Sequence, residues 1–151
     1  MTKKINTILL FFLSIIAIIN TSCSKEADGR DAENEAIEKF LSKYGDTCFV
    51  NYDGIYLYLT EEGTENYSNE DIVTITYSGQ TLENVVTFAY NNVMQVVYGD
   101  NSLISGWKIA LQQIKKGSEG ILLIPYKKAY GKQRVGIIEP YSTLVFTFAA
   151  N

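Results

Sequence analysis

Residues 103–117 of the chain are Leu-Ile-Ser-Gly-Trp-Lys-Ile-Ala-Leu-Gln-Gln-Ile-Lys-Lys-Gly. The apolar residues of this stretch recur at three- and four-residue spacing, which predicts one apolar helix face. They are Leu103, Ile104, Trp107, Ala110, Leu111 and Ile114. The two lysines and the glycine that follow are typical of a helix C-terminus. The stretch therefore predicts one amphipathic helix with a tryptophan near its start.

Strand signals lie on both sides of this helix. Residues 55–60 and 72–77 alternate between two sets of side chains, as a half-buried strand does. Residues 94–98 and 121–124 are short apolar runs, and residues 143–149 are rich in β-branched and aromatic types. A sheet with one helix across it predicts an α+β domain with a single core between two layers.

Composition excludes several classes of function. The chain has 151 residues, no histidine, two cysteines and a net charge of −4. Its length predicts one domain, and the missing histidine removes His-dependent triads and imidazole zinc sites. We expect no metal, because two cysteines cannot form a Cys₄ site, and no nucleic-acid partner, because the chain has no excess of basic residues. We also expect no cofactor. The adjacent acids at 61–62 and 70–71 are expected to be solvated turn residues.

The N-terminus has the pattern of a secretory signal. Lys3 and Lys4 precede an uncharged run over residues 8–19, which as a helix would rise about 18 Å, short of the roughly 30 Å hydrocarbon core. Residues 1–22 are therefore predicted to be a signal peptide. Thr21-Ser22-Cys23 resembles a bacterial lipobox, which predicts lipidation of Cys23. The alternative is a plain secretory signal in which the cysteine is incidental.

The segment after Cys23 divides into a tether and a helix. Residues 23–30 contain no apolar side chain larger than alanine beyond the cysteine itself, which predicts a flexible tether. Residues 31–53 are predicted to be an N-terminal helix and linker, with the helix over residues 31–44 and Gly45 as its end. The main domain is predicted over residues 54–151.

Two aromatic residues suggest a concave site. Trp107 is predicted at a helix start and Tyr130 just past a strand, so both can line one pocket. Spacing alone favours the simpler interpretation that Trp107 belongs only to the core.

The order of several short motifs resembles the FKBP-type peptidyl-prolyl isomerases over about residues 54–149. The matching motifs are Thr76-Tyr77-Ser78-Gly79, Phe88, Gly99, Leu103-Ile104-Ser105-Gly106-Trp107, Lys116-Gly117, Ile124-Pro125, Ala129-Tyr130-Gly131 and Leu144-Val145-Phe146. The resemblance implies an FKBP-like antiparallel sheet wrapped on one short helix. The predicted N-terminal helix is similar to extensions found in bacterial members.

The resemblance also implies a proline-binding pocket. Its catalytic residues would be Tyr77, Phe88, Ile104, Trp107, Tyr130 and Phe146. Its further substrate-binding residues would be Leu103, Met94, Ile137 and Ile138. Trp107 would form the floor under the proline ring, while the backbone N–H of Ile104 and the hydroxyl of Tyr130 would bond substrate carbonyls.

The implied function is a peptidyl-prolyl cis–trans isomerase that assists the folding of exported proteins. Its partners would be proline-containing segments of those proteins, and we expect a monomer, lipid-anchored in the bacterial cell envelope on the periplasmic or surface side of the outer membrane. Ala89 stands where the family has an aspartate, which favours the alternative of a catalytically weak, FKBP-like peptide-binding lipoprotein. A purely structural lipoprotein would instead fill the pocket with its own side chains.

Overall fold

The computed structural model describes residues 24–45 and 48–151. The predicted signal peptide, residues 1–22, and the predicted lipidation site, Cys23, lie outside the described residues. The domain considered below comprises Glu35–Asn151. None of the helices in the described ranges is long and apolar enough to cross a membrane.

Helix α1 spans Ser24–Ser42, so the predicted start at Asp31 is wrong by seven residues. Lysine, glutamate, alanine and arginine between Ser24 and Asp31 all have high helix propensity, which the prediction underweighted. The segment predicted as a flexible tether is therefore helical over 24–30, while its role as a spacer stays a prediction. The helix ends in a tightened turn in which Lys43 N donates to Phe40 O at 3.2 Å.

Within residues 24–45 and 48–151, six antiparallel strands form one sheet. They are β1 (Val50–Tyr52), β2 (Ile55–Glu61), β3 (Ile72–Thr81), β4 (Thr87–Val97), β5 (Glu119–Ile124) and β6 (Leu144–Ala150). Their order in the sheet is β1-β2-β5-β6-β3-β4. Helix α2 (Ser105–Leu111) follows β4, and a 3₁₀ turn (Tyr126–Lys128) follows β5. These elements confirm the predicted α+β class with an antiparallel sheet and one short helix.

The main core lies between α2 and one face of the sheet. Ile75, Leu122 and Leu144, from three adjacent strands, are fully buried there against Trp107 and its neighbours. The other face of the sheet carries a second cluster, in which Ile37 and Phe40 of α1 pack with Leu123 and Val145. The alternation of inward and outward side chains along β5 and β6 thus supplies both clusters.

Two strands differ from the sequence prediction. Strand β1 was not predicted, because three residues are too few to show alternation. It is joined to β2 by a turn in which Asp53 and Gly54 both have positive φ (47° and 82°), the geometry of a tight hairpin. Strand β4 begins at Thr87, whereas the apolar run predicted a start at Met94. The first part of the strand was not predicted because an irregular pairing near Phe88 interrupts the alternation of its side chains.

Candidate functional site

A group of aromatic rings occupies the inner face of the sheet beneath α2. The ring of Trp107 lies 5.2 Å from that of Phe146 and 6.4 Å from that of Tyr77, and Phe88 lies 5.6 Å from Phe146. All of these contacts are edge-to-face, the arrangement that aromatic pairs prefer. Trp107 and Phe146 are only 3% and 4% exposed, whereas Tyr77 and Phe88 are half-buried. The group therefore has a buried base and a partly open rim.

A β-bulge directs Phe88 into this group. Gln80 pairs with Thr87 and Gly79 pairs with Ala89, so Phe88 is an extra residue on β4. A Cβ at Gly79 would lie 2.4 Å from Cε2 of Phe88. Gly79 is thus the residue that leaves room for the Phe88 ring, a role that the sequence motif alone did not reveal.

A second glycine sets the position of the tryptophan. A Cβ at Gly106 would lie 2.4 Å from Cγ2 of Ile124, and Ile124 is completely buried. Helix α2 therefore packs directly on β5 at Gly106. This contact fixes Trp107, the residue after Gly106, against the sheet. Phe148 supports the tryptophan from β6 at a ring separation of 5.8 Å. Sequence reasoning missed Ile124 and Phe148 as supports because both have the pattern of ordinary core residues.

Ile104 precedes α2 and offers a backbone donor. Its φ and ψ are −56° and 148°, and its carbonyl accepts hydrogen bonds from the N–H groups of Trp107 and Lys108 at 3.1 and 3.3 Å. Its own N–H has no backbone acceptor within the part of the chain that the structure describes. A donor left without an internal partner beside an apolar group is suited to a ligand carbonyl.

Tyr130 contributes a phenol near the same rim. It is half-buried against the main core. Burial, and secondarily the neighbouring Tyr77, raises the pKa of Tyr130 above its usual range. Its hydroxyl therefore stays protonated at neutral pH and can donate a hydrogen bond.

The remaining predicted residues divide into inward and outward groups. Leu103 and Met94 pack, half-buried, against the main core. Val135 and Ile138 exchange backbone hydrogen bonds of 3.0 and 2.9 Å, and this turn places Ile138 in the core at 5% exposure and leaves Ile137 58% exposed. The predicted pair 137–138 thus has one buried and one exposed member, so it does not form a continuous apolar wall.

One member of each adjacent pair of acids in the sequence is held by a lysine. Glu62 forms a 2.7 Å ion pair with Lys115, and Asp71 accepts a hydrogen bond from Ser68 N and pairs with Lys116. These contacts lower the pKa of both carboxyls. Over the described ranges, no three His, Cys, Asp or Glu side chains are grouped to hold a metal ion. The site offers an apolar aromatic surface and two hydrogen-bond donors.

Comparisons with known proteins agree on one family. The model of the FKBP-type peptidyl-prolyl cis-trans isomerase family matches residues 63–149. The curated isomerase FkpA of Escherichia coli K12 is 31% identical over 137 residues, which cover 86% of this chain and 50% of that protein. A probable FkpA of Neisseria meningitidis is 31% identical over 126 residues, which cover 80% of this chain and 46% of that protein. The chain thus spans about half the length of these curated relatives.

Solved structures show the same likeness. The crystal structure of a peptidyl-prolyl cis-trans isomerase from Pseudomonas syringae has a TM-score of 0.68 and 25% identity, and the match covers 87% of this chain and 96% of that one. The crystal structure of FkpA from E. coli has a TM-score of 0.67 and 26% identity, with coverage of 99% and 71%.

Proposed function

Because this chain belongs to the FKBP-type peptidyl-prolyl cis-trans isomerase family, we propose that it catalyses rotation about Xaa–Pro bonds in exported proteins. The observation that carries the proposal is the aromatic group based on Trp107, with the Ile104 N–H and the Tyr130 hydroxyl at its rim. The proline ring would lie on Trp107, and the two donors would hold carbonyls on either side of it.

The proposed chemistry needs no nucleophile, base or metal. The barrier to peptide-bond rotation is about 18–20 kcal/mol and comes from amide resonance. An apolar site disfavours the planar, charge-separated amide relative to the twisted transition state, in which the resonance is lost. Each ~1.4 kcal/mol of such selective stabilisation is worth a factor of ten in rate. A surface that stabilises the twisted amide more than the planar amide is therefore sufficient for catalysis.

A second candidate function is peptide binding with weak catalysis. Ala89 is 7% exposed and pairs with Gly79 next to the Phe88 ring, so this position offers no carboxylate to the site. The aromatic surface and the two donors are the same in both candidates. The two candidates therefore differ in the rate of isomerisation measured at the same fraction of peptide-bound protein.

We expect Tyr130→Phe to lower kcat/KM for an Xaa–Pro peptide about fivefold, as the loss of one hydrogen bond does. The measurement is a protease-coupled isomerisation assay, with Tyr90→Phe as the control because Tyr90 is 76% exposed. Because the pKa of Tyr130 is raised, the parent rate should stay level between about pH 6 and about pH 9. Equal rates for parent and Tyr130→Phe would remove Tyr130 from the site.

We also propose that the protein is anchored by lipid at Cys23, which the lipobox-like sequence supports, and that it lies in the bacterial envelope, for which the bacterial origin of its relatives is the support. Cys23→Ser is expected to move the protein from the membrane fraction to the soluble fraction, because the acyl chains supply the membrane affinity. Cys48→Ser, the same chemical change elsewhere, should leave it in the membrane. Unchanged fractionation of Cys23→Ser, with an unacylated mature N-terminus, would contradict the anchor.

A further inference from the structure

Ser105 is the first residue of α2, and its side chain bonds to a residue outside the helix. Its half-buried hydroxyl donates a hydrogen bond to the backbone carbonyl of Lys128 at 3.1 Å. A serine at a helix N-terminus commonly accepts a hydrogen bond from an N–H of its own first turn, but the N-cap of α2 is Ile104 and carries no side-chain cap. The Ser105 hydroxyl therefore connects α2 to the 3₁₀ turn that follows β5.

The two ends of this hydrogen bond lie beside the two proposed donors of the site. Ile104, whose backbone N–H is one donor, directly precedes Ser105, and Lys128 ends the 3₁₀ turn two residues before Tyr130. A movement of the turn relative to α2 would change the distance between the Ile104 N–H and the Tyr130 hydroxyl. The Ser105 hydrogen bond restrains that movement.

The backbone of Tyr130 is firmly attached to the 3₁₀ turn. The N–H groups of Ala129 and Gly131 both donate to Tyr126 O, at 3.1 and 2.9 Å. The residues before and after Tyr130 are thus bonded to the same carbonyl of the turn. Tyr130 must therefore follow the turn when the turn shifts.

A second contact of Lys128 holds the turn less firmly. Its ammonium forms a 2.8 Å ion pair with Asp53, whose side chain is 77% exposed, and exposed ion pairs of this kind contribute little to stability. The Ser105 hydrogen bond is half-buried, where water competes less for the carbonyl. Loss of the Ser105 hydroxyl is therefore the change that frees the turn.

We propose that Ser105 is a positioning residue, whose hydroxyl holds the Tyr130 hydroxyl in place relative to the Ile104 N–H. Ser105 acts through the 3₁₀ turn and makes no contact with the substrate. Donors that are already in place when the amide twists stabilise the transition state without a cost of reorganisation. The inference rests on the proposed isomerase function and adds a residue to its machinery.

The test is a double-mutant cycle in the protease-coupled isomerisation assay. Ser105→Ala should lower kcat/KM about threefold, within the range for the loss of one hydrogen bond, and Ser105→Thr, which keeps a hydroxyl, should stay within about 1.5-fold of the parent. If Ser105 acts through Tyr130, the two residues are coupled. Ser105→Ala should then cost less than about 1.5-fold in a Tyr130→Phe chain, which already lacks the phenol.

Ser118→Ala is the matched control, because it also removes a serine hydroxyl that bonds to the backbone. The Ser118 side chain is fully buried and accepts hydrogen bonds from the N–H groups of Gly63 and Lys115, both at 3.0 Å. It precedes β5, at the opposite end of that strand from Ile124. Ser118→Ala should lower the free energy of unfolding at least as much as Ser105→Ala and leave kcat/KM within about 1.5-fold of the parent.

Three results would overturn the inference in an active parent chain. They are an equal loss for Ser105→Ala in the parent and in the Tyr130→Phe chain, a Ser105→Thr protein as slow as Ser105→Ala, and an equal loss of kcat/KM in Ser118→Ala. Failure of the proposed function gives a different result, since the parent itself would then be inactive. If that parent still binds the Xaa–Pro peptide, the same cycle on the dissociation constants decides whether Ser105 positions Tyr130.

Discussion

Trp107→Ala is expected to abolish binding of an Xaa–Pro peptide and to lower the free energy of unfolding by about 3–5 kcal/mol. Trp107 is 3% exposed and contacts the rings of Tyr77, Phe146 and Phe148. Its removal leaves a cavity beneath the proposed proline site. The free energy is measured by denaturant unfolding, and binding by NMR titration with the peptide.

Two controls separate binding from folding in this experiment. Trp107→Phe keeps an aromatic floor and should fold, with binding weakened but measurable. Phe148→Leu removes a buried ring that contacts the tryptophan from β6 and should lower stability more than affinity. A folded Trp107→Ala protein that binds the peptide as well as the parent would contradict the assignment of Trp107 as the floor.

Gly106→Val should lower the free energy of unfolding by about 3 kcal/mol, at the upper end of the usual cost of overpacking. Any Cβ at position 106 meets three atoms of Ile124 within 2.9 Å, and that side chain is fully buried. The helix must therefore lift away from β5, which also displaces Trp107. Unfolding curves and the near-ultraviolet signal of the tryptophan measure both effects.

Lys108→Val is the matched control for this substitution. It introduces the same β-branched residue into the same short helix at a half-exposed position, so it reports the propensity cost, which is below about 1 kcal/mol. In the double variant Gly106→Val/Ile124→Ala, the smaller partner should recover part of the lost stability. The contact between positions 106 and 124 would not position the helix if the double variant were no more stable than Gly106→Val. The same would follow if Gly106→Val lowered the free energy of unfolding only as much as Lys108→Val does.

The main strands and α2 could be predicted from the sequence because their patterns are periodic. Ile72 to Tyr77 alternates regularly, and the apolar residues from Leu103 to Ile114 follow helical spacing. Elements without such a period were missed or misplaced. Strand β1 has only three residues, and the first half of β4 contains the extra residue Phe88, which breaks the alternation that a strand prediction uses.

The site was predictable only through the order of its motifs. Spacing alone favoured a core role for Trp107, and the structure explains why, since its ring is almost completely buried. A floor residue and a core residue have the same sequence pattern. The opposite directions of Ile137 and Ile138 arise from the turn between Val135 and Ile138, which adjacent apolar residues do not reveal.

The catalytic claim is tested most directly by NMR exchange spectroscopy on an Xaa–Pro peptide, with the protein at about one hundredth of the peptide concentration. Uncatalysed exchange takes tens to hundreds of seconds at 25 °C, so its cross-peaks are absent at mixing times of about one second. The proposed function predicts cis–trans cross-peaks with the parent chain and none with Trp107→Ala. Binding shifts without cross-peaks in the parent would contradict catalysis and leave a peptide-binding protein.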